Sequence, residues 1–303
     1  MGSILVTLCI KKNGIKCNFN LLSGMLNFGI PFAPALLCAT LMHNADRYVL
    51  RHFTSLEVVA IYSLGYKFPF MLSSLFLESF GRIWNSSVIY TISGQDTADE
   101  LYAKITTYFV IIFIFAQYTF SVMAPLIIKV MVAPAYYESH RVVPVVSLAV
   151  SFYCLHNFFT IGAFIKKRTS LLPLSFIISG TVNIILNWYY VPVYGYMSAA
   201  WISVITYFIF SAVGFTVYRR VYRISFEYKR LTFLFFTAIC LYIFNSVINP
   251  ANFYADVLKK IAFVCAFPLV LLLAPFLEKN EQAMLSAYWK KYYGILKSHT
   301  YLS

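Results

Sequence analysis

Charge is scarce in this sequence, and acid is scarcer than base. Only 12% of the 303 residues are charged, with 11 Asp and Glu against 24 Lys and Arg. A soluble domain carries roughly twice that share, so a single core with a water-facing surface is excluded. HExxH, P-loop and GxSxG patterns are missing, as is any pair of acids near a His in an outer loop. Without them there is no sequence basis for zinc hydrolysis, ATP hydrolysis in this chain or serine-type acyl transfer. No enzyme activity and no catalytic residue are expected. The six cysteines, Cys9, Cys17, Cys38, Cys154, Cys240 and Cys265, form no CxxC pair, and most lie in apolar segments. They read as small apolar residues, not as a disulfide framework, and no metal or cofactor is expected. The strict alternation of a membrane β-barrel is also lacking.

What is present is apolar length. The chain is 60% hydrophobic with a mean hydropathy of +0.73. Apolar runs of about 20 residues recur throughout, which predicts an all-α integral membrane protein of about eight transmembrane helices. Their expected positions are 27–47, 58–80, 102–124, 142–164, 170–190, 196–217, 231–249 and 258–277. The second helix is expected to continue towards Tyr90. The net charge of +13 would suggest nucleic acid in a soluble protein. Here Lys and Arg collect in loops, as the positive-inside rule demands, and nucleic acid is set aside. With the start on the inside, the inner segments hold Lys11, Lys12, Lys16, Arg82, Lys104, Lys166, Lys167, Arg168, Arg219, Arg220, Arg223, Lys229, Arg230 and the lysines of the tail, against Arg47, Arg51, Lys129, Arg141, Lys259 and Lys260 outside. Both termini are therefore predicted to be cytoplasmic.

The loops are short. The longest outer one is expected at about 128–142, and 93–100 (SGQDTADE) reads as an inner turn. The tail 278–303 mixes charge with Tyr288, Trp289, Tyr292 and Tyr293, as an interfacial helix would. Residues Ser3–Ile10 are apolar but too short to span, and lack the flanks of a signal peptide. They resemble the last turns of a helix, followed by a basic linker, so 1–26 reads as a stub and the chain as the later part of a longer ancestral protein.

Two stretches carry ionisable groups where apolar residues are expected. In 28–51, His43, Asn44, Arg47 and Arg51 share one helical face with Asp46 beside them. In the next span, Ser63, Lys67, Ser74, Glu78 and Arg82 fall within an arc of about 100°. Pro69 frees a carbonyl and allows a bend there. Glu78 and Arg82, at i and i+4, are expected to pair. Buried charge costs free energy, so it faces either a partner or a water-filled cavity. One reading is a helix-locking ion pair, Asp46 with Lys67. The other is a cavity in which Lys67, Arg47, Arg51 and Arg82 exceed Asp46 and Glu78, suited to an anionic phosphate or pyrophosphate. Further along, His156 reads as an interhelical hydrogen-bonding group before a proton relay. Ser175, Ser179, Asn183 and Asn187 at i+4 spacing read as packing residues before a sugar-facing surface. Tyr62, Tyr66, Trp84, Tyr189 and Tyr190 fit an interfacial aromatic belt.

Several segments, in this order, form a wider pattern: GIPFAP and ADRYVL, then IYSLGYKF, then YYESHRVVPVVSLAV, then KKRTSLLPLSFIISGTVNIILNWYYVPVYGYMSAAWISVITY. The last contains Asn183, Leu186, Asn187, Pro192 and Gly195. The set, spanning about 20–230, resembles the bacterial polysaccharide-biosynthesis membrane proteins. These are the O-antigen and capsule-repeat flippases of the multidrug/oligosaccharidyl-lipid/polysaccharide exporter superfamily. The resemblance implies two lobes of helices around a central cavity in the bacterial cytoplasmic membrane. It implies alternating-access transfer of an undecaprenyl-pyrophosphate-linked oligosaccharide, with membrane lipids, a polysaccharide polymerase and assembly proteins as partners. It makes 27–218 the second six-helix lobe and 219–277 a basic loop with two additional helices. The first lobe would be missing, or supplied by a partner chain. Two other classes fit the sequence less well. A multi-span O-antigen polymerase or ligase would need a larger outer loop, and a drug/cation antiporter of the same superfamily would need an acidic cavity.

Overall fold

The structure, a computed structural model, describes residues 32–83, 98–160, 171–221, 226–248 and 252–274, with a few isolated positions beside them. The stub, the linker, the tail and Trp84 lie outside the described residues. Among those described there are eight α-helices and no strand. They are α1 (Phe32–Phe53), α2 (Leu56–Ile83), α3 (Ala98–Met131), α4 (Val142–Phe159), α5 (Leu172–Tyr194), α6 (Tyr196–Tyr218), α7 (Tyr228–Val247) and α8 (Phe253–Leu273). Six of them, α2 to α7, are long and apolar enough to cross a membrane. The other two, α1 and α8, each carry three charged residues: Asp46, Arg47 and Arg51 in one, Asp256, Lys259 and Lys260 in the other.

The boundaries depart from the sequence expectation mainly around α3. It begins at Ala98, inside the stretch expected to be a turn, and runs 34 residues to Met131. Residues 125–131, PLIIKVM, are apolar enough to continue the helix. The expected long outer loop therefore shrinks to two residues, followed by a 3₁₀ helix over Pro134–Arg141 with proline in its first turn.

The chain forms two compact units that interleave in sequence, 1–54 with 156–223, and 55–155 with 224–303. Helix α1 belongs with α5, α6 and the last turn of α4 from His156, while α2 belongs with α3, the rest of α4, α7 and α8, a grouping different from the sequence division at 218/219. In the first unit α1 and α5 run parallel: Met42 meets Ser179, and His52 stacks on Trp188. Helix α6 runs antiparallel to α5, with Thr206 opposite Asn183 and Tyr218 opposite Ser175. The turn between them is set by Gly195, whose φ of +66° favours glycine. Its amide closes α5 on the Val191 carbonyl at 2.9 Å, and its carbonyl accepts the Ser198 hydroxyl at 2.6 Å. The directions fit helices that cross a layer alternately, since α1 and α5 are both odd-numbered.

The second unit obeys the same rule. Helices α2 and α3 are antiparallel, with Phe68 against Phe120 and Phe80 against Phe109. Helix α8 packs antiparallel on α3: Phe267 meets Phe115 and Tyr118, and the Tyr118 hydroxyl donates to the earlier Phe263 carbonyl at 3.1 Å. Helix α2 approaches the start of α4 closely at Gly65. A Cβ there would lie 2.6 Å from both the Ser139 carbonyl oxygen and the Val142 Cβ. At the α7–α8 turn, Lys259 Nζ donates to the carbonyls of Asn245 (3.2 Å) and Ile248 (2.8 Å). The lysine thereby caps the negative end of α7, and Asp256 pairs with both Lys259 and Lys260.

Candidate functional site

The first unit is held by a polar seam within apolar helices. Helix α1 turns Met42, Ala45, Asp46, Val49 and Leu50 inward. Asp46 is thus part of the packed face, 2% exposed, rather than a group at its edge. Its Oδ1 accepts the Arg47 backbone amide at 2.9 Å and lies 3.9 Å from Arg47 Nη1. The same Nη1 donates to the His43 carbonyl at 2.6 Å and to Asn44 Oδ1 at 3.3 Å. Asn44 in turn donates to the Thr40 carbonyl at 2.8 Å. The guanidinium is therefore folded back along its own helix, onto groups three and four residues earlier. His43 and the buried Tyr207 of α6 share a hydrogen bond of 2.6 Å between Nδ1 and the phenol oxygen. Arg51, in the last turn, is exposed.

On α5, Ser175, Ser179, Asn183 and Asn187 are all buried, at 0–2% exposure. Ser179 donates to the Ser175 carbonyl at 2.5 Å and lies 3.3 Å from Met42 Sδ. Asn183 Nδ2 donates to Thr206 Oγ1 at 3.0 Å, and Asn187 Nδ2 to the Asn183 carbonyl at 2.9 Å. These residues form the seam with α1 and α6, as small and polar residues at helical spacing do in membrane bundles. Asn187 Oδ1 is buried with no hydrogen-bond partner among the described residues.

His156, in the last turn of α4, lies in the same unit. Its ring stacks on Phe210 with centroids 3.5 Å apart, and Nδ1 lies 2.9 Å from the Phe210 carbonyl. A carbonyl only accepts, so Nδ1 carries the proton. The ring fits because residue 214 is glycine: a Cβ there would fall 2.5 Å from Nδ1. The sequence reading passed over Thr206, Tyr207 and Gly214. Their signal was a repeat of small and polar residues (Ala199, Ser203, Thr206, Ser211, Gly214) along one side of α6.

The second polar stripe belongs to the other unit. Helix α2 packs through Tyr62, Gly65, Tyr66, Pro69 and Ser73. Gln117 Nε2 of α3 donates to the Pro69 carbonyl at 3.0 Å. Lys67 and Glu78 are exposed, and the Arg82 side chain lies outside the described residues. Lys67 makes no ion pair within its unit among the described residues. The structure thus brings together Asn44, Asp46 and Arg47 on α1, with His43, and joins Asn183 to Asn187 on α5. It sets Lys67 and Glu78 on the exposed side of another helix.

Two open grooves are lined by described residues of the first unit. One of about 460 Å³ runs between α5 and α6 beside Tyr190, Tyr194 and Trp201. The other, about 400 Å³, lies at the end of α6. The α1 cluster lines neither. Among the described residues no group of three or more His, Cys, Asp or Glu side chains is arranged to hold a metal. No protein-family model matches the chain, and comparison with curated proteins and with solved structures gives no match.

Proposed function

We propose that this chain is one lobe of a transporter that moves a polyprenyl-pyrophosphate-linked oligosaccharide across the bacterial cytoplasmic membrane. The reading rests on the ordered resemblance to polysaccharide flippases and on one observation, the setting of Lys67. This lysine is the twelfth of 28 residues in α2. It is about 16 Å along the axis from Leu56, at 1.5 Å per residue. A lysine stem cannot snorkel that distance to an interface. Facing lipid there costs about 2.5–3.5 kcal/mol on insertion scales. An exposed lysine at that depth fits a water-filled cavity or the face of a second lobe. Either setting supplies the excess positive charge that a pyrophosphate passenger requires. By the resemblance, α1 to α6 correspond to the six helices of one lobe, and α7 and α8 to the added pair. In this reading α1 and α8 also cross the bilayer, with Arg47 folded onto acceptors of α1, Asp256 paired with Lys259 and Lys260 in α8, and Arg51 at the end of its helix.

The test is deletion of the reading frame from its host, followed by an electrophoretic ladder of surface glycan. Loss of every species, single repeats included, is the expected result. Retention of single repeats with loss of the long chains would support the polymerase reading instead, and an unchanged ladder would refute the proposal.

A further inference from the structure

We propose that the arginine-lined pocket at the end of α6 binds the phosphate headgroup of an anionic phospholipid. This site is separate from the α1 cluster and from Lys67, and the inference does not rest on the transport reading.

The described lining of this groove of about 400 Å³ is Phe215, Thr216, Arg219 and Arg220. These residues, at i, i+1, i+4 and i+5, lie on one side of α6 as it ends. Both arginines are exposed, and among the described residues neither pairs with a carboxylate. Arg219 is held in place: its guanidinium carbon lies 5.4 Å from the centre of the Phe215 ring. That ring packs in turn on Phe159 of α4, with centroids 5.3 Å apart. An aromatic face beneath a guanidinium fixes its plane and leaves its N–H edge free to donate. The Thr216 hydroxyl is engaged with the carbonyls of Ala212 (3.0 Å) and Val213 (2.9 Å). The pocket's free donors are therefore the two guanidinium forks, whose paired N–H groups match the oxygens of a phosphate.

The negative end of a helix ordinarily repels an anion. Here the last carbonyls are occupied: Phe215 accepts the Arg219 amide at 3.1 Å, Val217 the Arg220 amide at 3.3 Å and Tyr218 the Val221 amide at 2.9 Å. The charge nearest the pocket is that of the arginines. The pocket lies where an apolar helix of 23 residues gives way to basic chain. That is the depth of a lipid headgroup, on the side to which the Lys and Arg bias assigns the cytoplasm. A basic cluster at that position favours anionic lipid through both charge and geometry.

The experiment uses the full chain, purified in detergent, and native mass spectrometry of bound short-chain phosphatidylglycerol, with phosphatidylcholine and inorganic phosphate as comparison ligands. A basic residue near an anionic lipid contributes roughly a fivefold gain in affinity, so R219Q/R220Q is expected to lose phosphatidylglycerol about 25-fold. A charge-matched control, K129Q/R141Q, is expected to bind as the parent does. R219K/R220K keeps the charge without the fork, and an intermediate affinity is expected. If the glutamine variant fails to fold, the lysine variant and a salt titration of the parent carry the test, since screening weakens an ionic contact. Equal phosphatidylglycerol binding in parent and glutamine variant would overturn the proposal. So would salt-independent binding of the parent, or equal affinity for phosphatidylcholine. Competition by inorganic phosphate at matched concentration would also overturn it, by making the site one for the free anion.

Discussion

Replacing Gly214 by alanine tests the packing of the first unit most directly. In an exposed helix the change would stabilise by about 1 kcal/mol, because glycine has the poorer helix propensity. Here the added methyl would sit 2.5 Å from His156 Nδ1 and 2.8 Å from its Cε1. The imidazole cannot retreat, since its other face lies on Phe210 at 3.5 Å and the residue is only 3% exposed. Overpacking of this kind costs about 1–3 kcal/mol. Displacing the ring also breaks its hydrogen bond to the Phe210 carbonyl, a further 0.5–1.5 kcal/mol or so. Set against the propensity gain, the expected net loss is about 1–3 kcal/mol. His156→Ala alone is also expected to destabilise, but in that background Gly214→Ala should become neutral or favourable. The double-mutant cycle should therefore show a coupling above about 1 kcal/mol. Thermal unfolding of the four proteins in one detergent, followed by circular dichroism, measures it. A Gly214→Ala protein as stable as the parent, with additive behaviour in the cycle, would refute the close approach of His156 to Gly214.

Two other glycines make opposite predictions in the same assay. Gly65→Ala should cost about 1–3 kcal/mol, because its methyl would lie 2.6 Å from the Ser139 backbone oxygen. Gly180→Ala meets only Met42 Cβ, at 3.8 Å, and should be neutral or gain up to about 1 kcal/mol. Lys67→Met should leave the unfolding temperature close to the parent's, since Lys67 makes no ion pair among the described residues, yet abolish surface glycan in the host strain. Lys67→Arg should retain function, and a functional Lys67→Met protein would sink the cavity role. Asp256 lies in the first turn of α8, before the apolar run 261–273. Burial pushes its carboxyl up, but hydrogen bonds and charge from Lys260 and Lys259 outweigh this and hold its pKa below the usual value. A depressed carboxylate contributes stability above its unfolded pKa and loses it as pH falls through the folded one. Unfolding temperature should therefore drop on acidification below about pH 4, and Asp256→Asn should flatten that acid limb.

Helix positions were legible because apolar length alone nearly fixes them; α6 begins at the expected residue and ends one later. Helix ends were less so. The turn expected at 93–100 gives way to helix at Ala98, since polar, turn-forming composition does not stop a helix that tertiary packing favours. The α1 cluster was legible as a face, because i, i+3 and i+4 geometry is local, and Arg47 folds onto His43 and Asn44 as that spacing allows. Asp46 lies beside that face, as its spacing gives, but its burial was not legible. It points into the seam with Met42, Ala45 and Val49, a direction that only the packing of α1 on α5 determines. Tyr207 was out of reach because it lies 164 residues from its partner His43. No periodicity within one helix reports a contact at that separation.

The ionisable residues of the described helices sort by how their charge is met. Arg47 is satisfied within α1, by acceptors on its own preceding turn. Asp256, Lys259 and Lys260 form a triad within α8, and Lys259 also caps α7. Arg51 stands in the last turn of α1, where a cation meets the negative helix end. Each of these is explained by folding alone. Lys67 is not: it sits mid-helix and exposed, and its packed neighbours Tyr62, Gly65, Tyr66 and Pro69 lie on the other side of α2. A lysine with no ion pair among the described residues, which the proposed span would set at a depth where lipid penalises it, calls for water, a passenger or another protein surface. The transport reading therefore stands or falls on Lys67 rather than on the denser α1 cluster, whose polar atoms are largely engaged with one another.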